Sequence, residues 1–157
     1  MSNKSSNPVA IITGGSRGVG AATAKLLASK GWNVAITCTS SIDDANSVVK
    51  ECETLGVEGL ALSADVSDDK ACRNTAEETI KKWGRIDTLV NNAGTTKFVF
   101  NHGDLEGLDA EDFLHIYKVN VVGPFQMVRA CKELLLKSDN PSVINISSIA
   151  GIKGIGS

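Results

Sequence analysis

Thr13-Gly14-Gly15-Ser16-Arg17-Gly18-Val19-Gly20 carries four of the chain's fifteen glycines in eight residues. It directly follows the apolar run Val9-Ala10-Ile11-Ile12 and opens a segment, 18–30, of helical character. A short continuous apolar run ending in glycine reads as a buried strand. A helix N-terminus offers unpaired N–H groups and the positive end of the helix dipole, which suit a pyrophosphate. In that setting Gly14 permits the tight turn, Gly18 lets the backbone approach phosphates, and Gly20 lets helix and strand pack closely. A glycine cluster alone fits a plain turn equally well. The strand–turn–helix setting selects dinucleotide binding, with Gly14, Ser16, Arg17, Gly18, Val19 and Gly20 as candidate cofactor-binding residues. No Gly-Lys-Ser/Thr follows, so this is not a nucleoside-triphosphatase phosphate loop.

Outward from this turn the chain alternates two periods. Val34–Cys38 reads as a second strand. Residues 44–55 place Ala45, Val48, Val49, Cys52 and Leu55 at helical spacing, with Gly56 as a stop. Leu60–Leu62 is a third, weaker strand. Residues 68–83 read as a helix with Cys72, Ala76, Ile80 and Trp83 on one face, ended by Gly84. Ile86–Val90 is a fourth strand. After a loop through Gly103, a long helix is expected from about Glu111 to Lys137, bent at Pro124. Ser142–Ile146 is a fifth strand, and Gly151–Ser157 reads as a loop. Apolar strands with helical crossovers predict an α/β fold with a parallel sheet covered on both faces. Right-handed crossovers favour a doubly wound, Rossmann-type sheet ordered 3-2-1-4-5.

Composition agrees with a globular chain. It has 157 residues, 42% of them hydrophobic and 22% charged, which suits one domain. We expect that domain over residues 8–157, after a flexible polar tail over 1–7 with no signal-peptide core. Sixteen basic residues against eighteen acidic ones leave no basic excess for nucleic acid or an anionic membrane. No apolar run approaches the roughly 18–20 residues needed to span a bilayer. Cys38, Cys52, Cys72 and Cys131 form no C-x-x-C pair, and His102 and His115 are distant from them in sequence. That argues against a metal site and for buried, reduced thiols in a cytoplasmic protein.

The spacing T-G-x-x-x-G-x-G resembles the short-chain dehydrogenase/reductase family, and three further segments agree in order and placement. Asn91-Asn92-Ala93-Gly94 ends the fourth strand and looks like the family's N-N-A-G signature. Asn120, in Lys118-Val119-Asn120-Val121, lies in the long helix where the family has its functional asparagine. Ile144-Asn145-Ile146-Ser147-Ser148 is similar to the segment carrying the family's catalytic serine. The likeness is strongest to the branch holding 3-oxoacyl-carrier-protein reductases and many sugar and alcohol dehydrogenases. It implies hydride transfer between a nicotinamide cofactor and a small carbonyl or alcohol substrate, the protein supplying geometry and a proton. By resemblance Ser148 hydrogen-bonds the reacting oxygen, or else caps local backbone. Asn120 holds part of a proton relay, satisfies buried backbone, or does both. Asn91 binds the ribose side of the cofactor or braces the neighbouring strand. Asp65, followed by Val66, matches the position that reaches the adenine amine, or serves as a helix-start acid. Ala93 and Gly94 complete the cofactor-binding set.

Members that take NAD need an acid near the end of the second strand to grip the ribose hydroxyls. Here Cys38, Thr39, Ser40 and Ser41 occupy that stretch, and the first acid is Asp43. Arg17 offers a guanidinium to a 2′-phosphate, and Thr37, Thr39 and Ser40 offer hydroxyls. The expected cofactor is therefore NADP(H) in preference to NAD(H).

The family's proton donor is the tyrosine of a Y-x-x-x-K motif beyond the serine strand. This sequence has one tyrosine, Tyr117, which precedes the serine and has Val121 four places on. The resemblance thus implies an N-terminal portion, lacking the family's later strands and helices and inactive by itself. A shorter natural relative and a chain completed by another chain are the other readings. The fifth strand should then form an open edge, and the long helix should expose an apolar face. A complete protein of this kind is expected to be a homo-oligomer. Phe98–His102 would supply one wall of a substrate pocket. A non-catalytic dinucleotide-binding module is the alternative function.

Overall fold

The computed structural model describes residues 5–101 and 103–153. In chain order it contains β1 (Val9–Ile12), α1 (Gly18–Ser29), β2 (Asn33–Cys38), α2 (Ile42–Glu53), β3 (Gly59–Ser63), α3 (Asp69–Trp83) and β4 (Thr88–Asn91). A 3-10 turn at Leu105–Gly107 leads to α4 (Ala110–Tyr117), a π-helical segment (Lys118–Val122), α5 (Gly123–Leu135), β5 (Ser142–Asn145) and α6 (Ala150–Lys153).

All strand pairs are parallel, and the sheet order is β3-β2-β1-β4-β5, as the alternation predicted. Strand residues alternate between two cores, following the period of two that strands impose. Ala10, Ile12, Val34 and Ile36 pack with Ala24 and Ala28 of α1 and with Val48, Val49 and Cys52 of α2. Val9, Ile11, Ala35 and Leu89 pack on the other face with Cys72, Ala76 and Trp83 of α3 and with Met127, Cys131 and Leu135 of α5. Small residues on α1 (Gly20, Ala21, Ala24, Ala28) set that helix close against the sheet.

The end of the sheet opposite the glycine turn is tied by one buried carboxylate. Asp87, 3% exposed, accepts from Val9 N–H (2.8 Å), from Arg85 Nε and Nη2 (2.8 Å each) and from Ser138 Oγ (2.5 Å). Burial pushes its pKa up, but the hydrogen bonds from Arg85, Ser138 and Val9 outweigh that and hold it below the usual aspartate value. All four cysteines are free and buried. Burial, with neighbouring aspartates, pushes Cys72 up to about 11, and burial pushes Cys131 up to about 12.

Three expectations need correction. The helix expected over Glu111–Lys137 is not one α-helix but α4, the π segment and α5. Pro124 sits in the first turn of α5, where its missing N–H is tolerated. The preceding turn widens to π geometry instead of kinking. Residues 150–153 of the presumed terminal loop form the short α6, while 154–157 lie outside the described residues. The tail expected over 1–7 is held at its inner end, and residues 1–4 lie outside the described residues. There Ser5 N–H donates to Trp83 O (2.8 Å), and Ser5 Oγ accepts from Asn33 Nδ2 (3.1 Å).

Candidate active site

The chain turns at the carboxyl end of β1 because Gly14 has φ 65° and Gly18 φ 56°, values that L side chains rarely adopt. Gly20 is required for a different reason. A Cβ there would collide with the Gly14 carbonyl oxygen and stand 2.5 Å from Asn92 Nδ2. The turn is locked from both sides. Thr37 Oγ1 and O accept from the N–H groups of Gly14 (3.3 Å) and Gly15 (2.8 Å). Asn92 Nδ2 donates to Thr13 O (2.9 Å) and Gly14 O (3.0 Å). Thr13 Oγ1 in turn accepts from the N–H of Asn92 (3.0 Å) and of Ala93 (2.9 Å). This cross-strand lock fixes the start of α1 relative to β2 and β4. The first turn of α1 has no acidic residue and no side-chain cap, whereas α2, α3 and α4 carry acids there. Its N–H groups and dipole stay available to an anion.

Over this turn lies a cleft of about 500 Å³ at the carboxyl ends of the strands. It is lined by Arg17, the stretch Thr37–Ser41, Asp65, Val66, His115 and Val119, and Ala64 N–H donates to Cys38 O (2.8 Å), which joins the Asp65 corner to the end of β2. Gly14, Ser16, Ala93 and Gly94 also line it. Among the described residues Arg17 is the one arginine without a carboxylate partner, since Arg73, Arg85 and Arg129 are all ion-paired. Among the described residues Asp65 is the only acid lining the cleft. Cys38 Sγ is buried, and burial, with Asp44's charge added, raises its pKa despite an opposing backbone hydrogen bond from Ser41. It serves there as a neutral wall. The residues fit a dinucleotide: an uncapped helix start, two glycines with positive φ, and open space where a Cβ of Gly18 would stand.

Not every expected site residue faces this cleft. Val19 is exposed and Gly20 is buried beneath the turn, so both shape it from outside the lining. Thr37 lines it, but its hydroxyl accepts from Gly14 N–H and so braces the turn. Asn91 lies outside the lining. Its Nδ2 donates to Asn145 Oδ1 (2.9 Å), joining β4 to β5, and its buried Oδ1 has no hydrogen-bond partner. Asp65 Oδ1 accepts from Ser67 N–H (2.9 Å), but the helix-start acid of α3 is Asp68, which accepts from Lys70 N–H. Asn120 sits in the π segment and holds the loop after β4 by both ends of its amide: Oδ1 accepts from Thr95 N–H and Nδ2 donates to Thr95 O, each at 2.8 Å. Ser148 lies beyond β5, exposed, with its Oγ accepting from Ala150 N–H (3.2 Å).

Sequence reasoning assigned no site role to Asn92, Cys38, Ser41, Ala64, Thr95, His115 and Val119. The doubled asparagine before Ala93-Gly94 was the available signal for Asn92. His115 and Val119 are four apart, one helical turn, a spacing that would have flagged the pair.

Among the described residues no group of three His, Cys, Asp or Glu side chains could hold a metal ion, and no helix is long and apolar enough to cross a membrane. A five-stranded parallel sheet ordered 3-2-1-4-5, with its cleft where the strand order reverses, defines a Rossmann-type α/β chain of the kind that takes dinucleotides at that crevice. Within that class the chain belongs to the short chain dehydrogenase family, whose model matches residues 8–157. It is 37% identical over 146 residues to the 3-oxoacyl-[acyl-carrier-protein] reductase of Synechocystis sp., covering 93% of this chain and 58% of that one. Among solved structures, one from Burkholderia xenovorans described as a short-chain dehydrogenase/reductase superposes with a TM-score of 0.93 at 41% identity, covering 98% of this chain and 64% of that one. A metagenomic short-chain oxidoreductase in complex with NADP gives 0.84 at 32% identity, covering 95% and 66%. The chain therefore spans about 58% of the length of the curated relatives it matches.

Proposed function

We propose that this chain forms the nucleotide-binding part of an NADP(H)-dependent oxidoreductase acting on a small carbonyl or alcohol substrate. The observation that carries the cofactor choice is the Arg17 guanidinium, without a carboxylate partner, in a cleft that Thr39, Ser40 and Ser41 also line. A 2′-phosphate there meets a cation and hydroxyl donors, while the stretch Cys38–Ser41 at the end of β2 offers no carboxylate to bare ribose hydroxyls. When bound, the nicotinamide cofactor supplies or accepts the hydride. The chain's own part is to bind and to orient. The N–H groups at the start of α1 take the pyrophosphate, the Thr13–Asn92 lock holds the turn rigid, and Asp65 accepts from the base amine. Ser148 donates to the reacting oxygen, with Asn120 as a positioning residue through its hold on Thr95.

Reduction of a carbonyl needs a proton at oxygen as well as a hydride at carbon, and Ser148 is no strong acid. The sole tyrosine of these 157 residues, Tyr117, lies in α4, so this polypeptide alone is expected to bind cofactor without turnover. Ser148 Oγ accepts from Ala150 N–H, which leaves its own proton free to donate. Buried free thiols support a reducing, cytoplasmic setting. The exposed apolar face of α4 and α5 supports a homo-oligomer for the whole protein.

Calorimetric titration of the 157-residue chain with NADPH and with NADH tests the reading. NADPH should bind about tenfold to a hundredfold tighter, the range that a hydrogen-bonded charge contributes. Equal affinity overturns the cofactor choice, and no binding of either overturns the function. Carbonyl reduction by this polypeptide would overturn its assignment as incomplete for chemistry.

A further inference from the structure

We draw no further inference here: the strongest candidate, the crevice of about 180 Å³ lined by Ile80, Ile86 and Leu134 between the ends of α3 and α5, carries nothing, since Arg85 and Ser138 in its lining are already bonded to Asp87 and nothing in the structure shows what covers its apolar wall.

Discussion

Strands β1 and β5 carry similar apolar sequences, Val9-Ala10-Ile11-Ile12 and Ser142-Val143-Ile144-Asn145, yet they meet different surroundings. Every residue of β1 is buried, with β2 on one side, β4 on the other and helices over both faces. Among the described residues β5 pairs only with β4, and Val143 and Ile144 are 42% and 47% exposed. The same contrast runs through the helices. The small residues of α1 are sunk into the sheet, while Phe113, Tyr117, Val121 and Phe125 stand in solvent along α4 and α5 at four-residue steps. The half of the molecule that would hold a nucleotide is closed by its own residues. The half that would hold a substrate is not. Each side of this contrast can be attacked.

The largest effect on nucleotide binding is expected from Gly20→Val, which strikes the closed half at its tightest point. The new side chain must displace the Gly14 carbonyl or the Asn92 amide, both of which are part of the lock. Overpacking of this kind costs about 1–3 kcal/mol, and here it also deforms the phosphate turn. Melting should fall by several degrees and NADPH binding should drop below detection. Wild-type binding in Gly20→Val would show that the turn is far more pliable than the contacts imply.

Asp87→Ala probes the opposite end of the same half. It leaves Arg85 half-buried with no carboxylate, and breaking a buried pair from one side costs about 3–5 kcal/mol. Binding at the distant cleft should survive wherever the variant remains folded. The pH dependence has a definite sign. The folded-state pKa of Asp87 lies below its unfolded value, so its stabilisation is full above that unfolded value, near 3.8, and is lost as pH falls through the folded one. Chemical denaturation of the variant should show a shallower loss of stability below about pH 4 than wild type does. An unchanged acid limb would mean that Asp69 and Asp112, also held below the ordinary value by cationic partners, dominate it.

How much of this was legible beforehand follows the same division. The sheet order could be read because β1, β2 and β4 are continuous apolar runs broken by glycine turns, and buried parallel strands need no other signal. The glycine turn could be read because its φ values demand those residues. The α4–π–α5 stretch could not, because Pro124 announces a break in the ladder without saying whether it is absorbed as a kink or as a wider turn. The register of that turn puts Val119 into the core and Asn120 on Thr95, so the part of the cleft lining at Val119 was hidden along with it. Asn91 and Asn92 were alike as letters. Only the pleat of β4 sends one to β5 and the other to the glycine turn.

Arg17→Ala sharpens the contrast within the closed half, with a smaller effect. Arg17 is exposed and its loss removes no packing, so melting should not move. NADPH affinity should fall about tenfold or more while NADH affinity stays put, the signature of a lost charge-assisted contact to one phosphate. Equal losses for both cofactors would place Arg17 on the shared pyrophosphate instead.

Only a small effect on stability, and none on nucleotide binding, is expected from Ile144→Lys, which tests the open half directly. Ile144 is half exposed on a strand with one unpaired edge, so replacing it should change stability by no more than about 0.5 kcal/mol. A lysine on an edge strand discourages pairing with a second chain, through its charge and the cost of desolvating it. If the open edge drives self-association of the 157-residue polypeptide, sedimentation velocity should show a concentration-dependent species in wild type that Ile144→Lys suppresses, with NADPH binding intact in both. If association persists unchanged, it runs through another surface, and Phe113 and Phe125 on the helical face are the next positions to substitute. If Ile144→Lys instead unfolds the chain, the open half contributes to the stability of the closed one, and the division drawn between them is wrong.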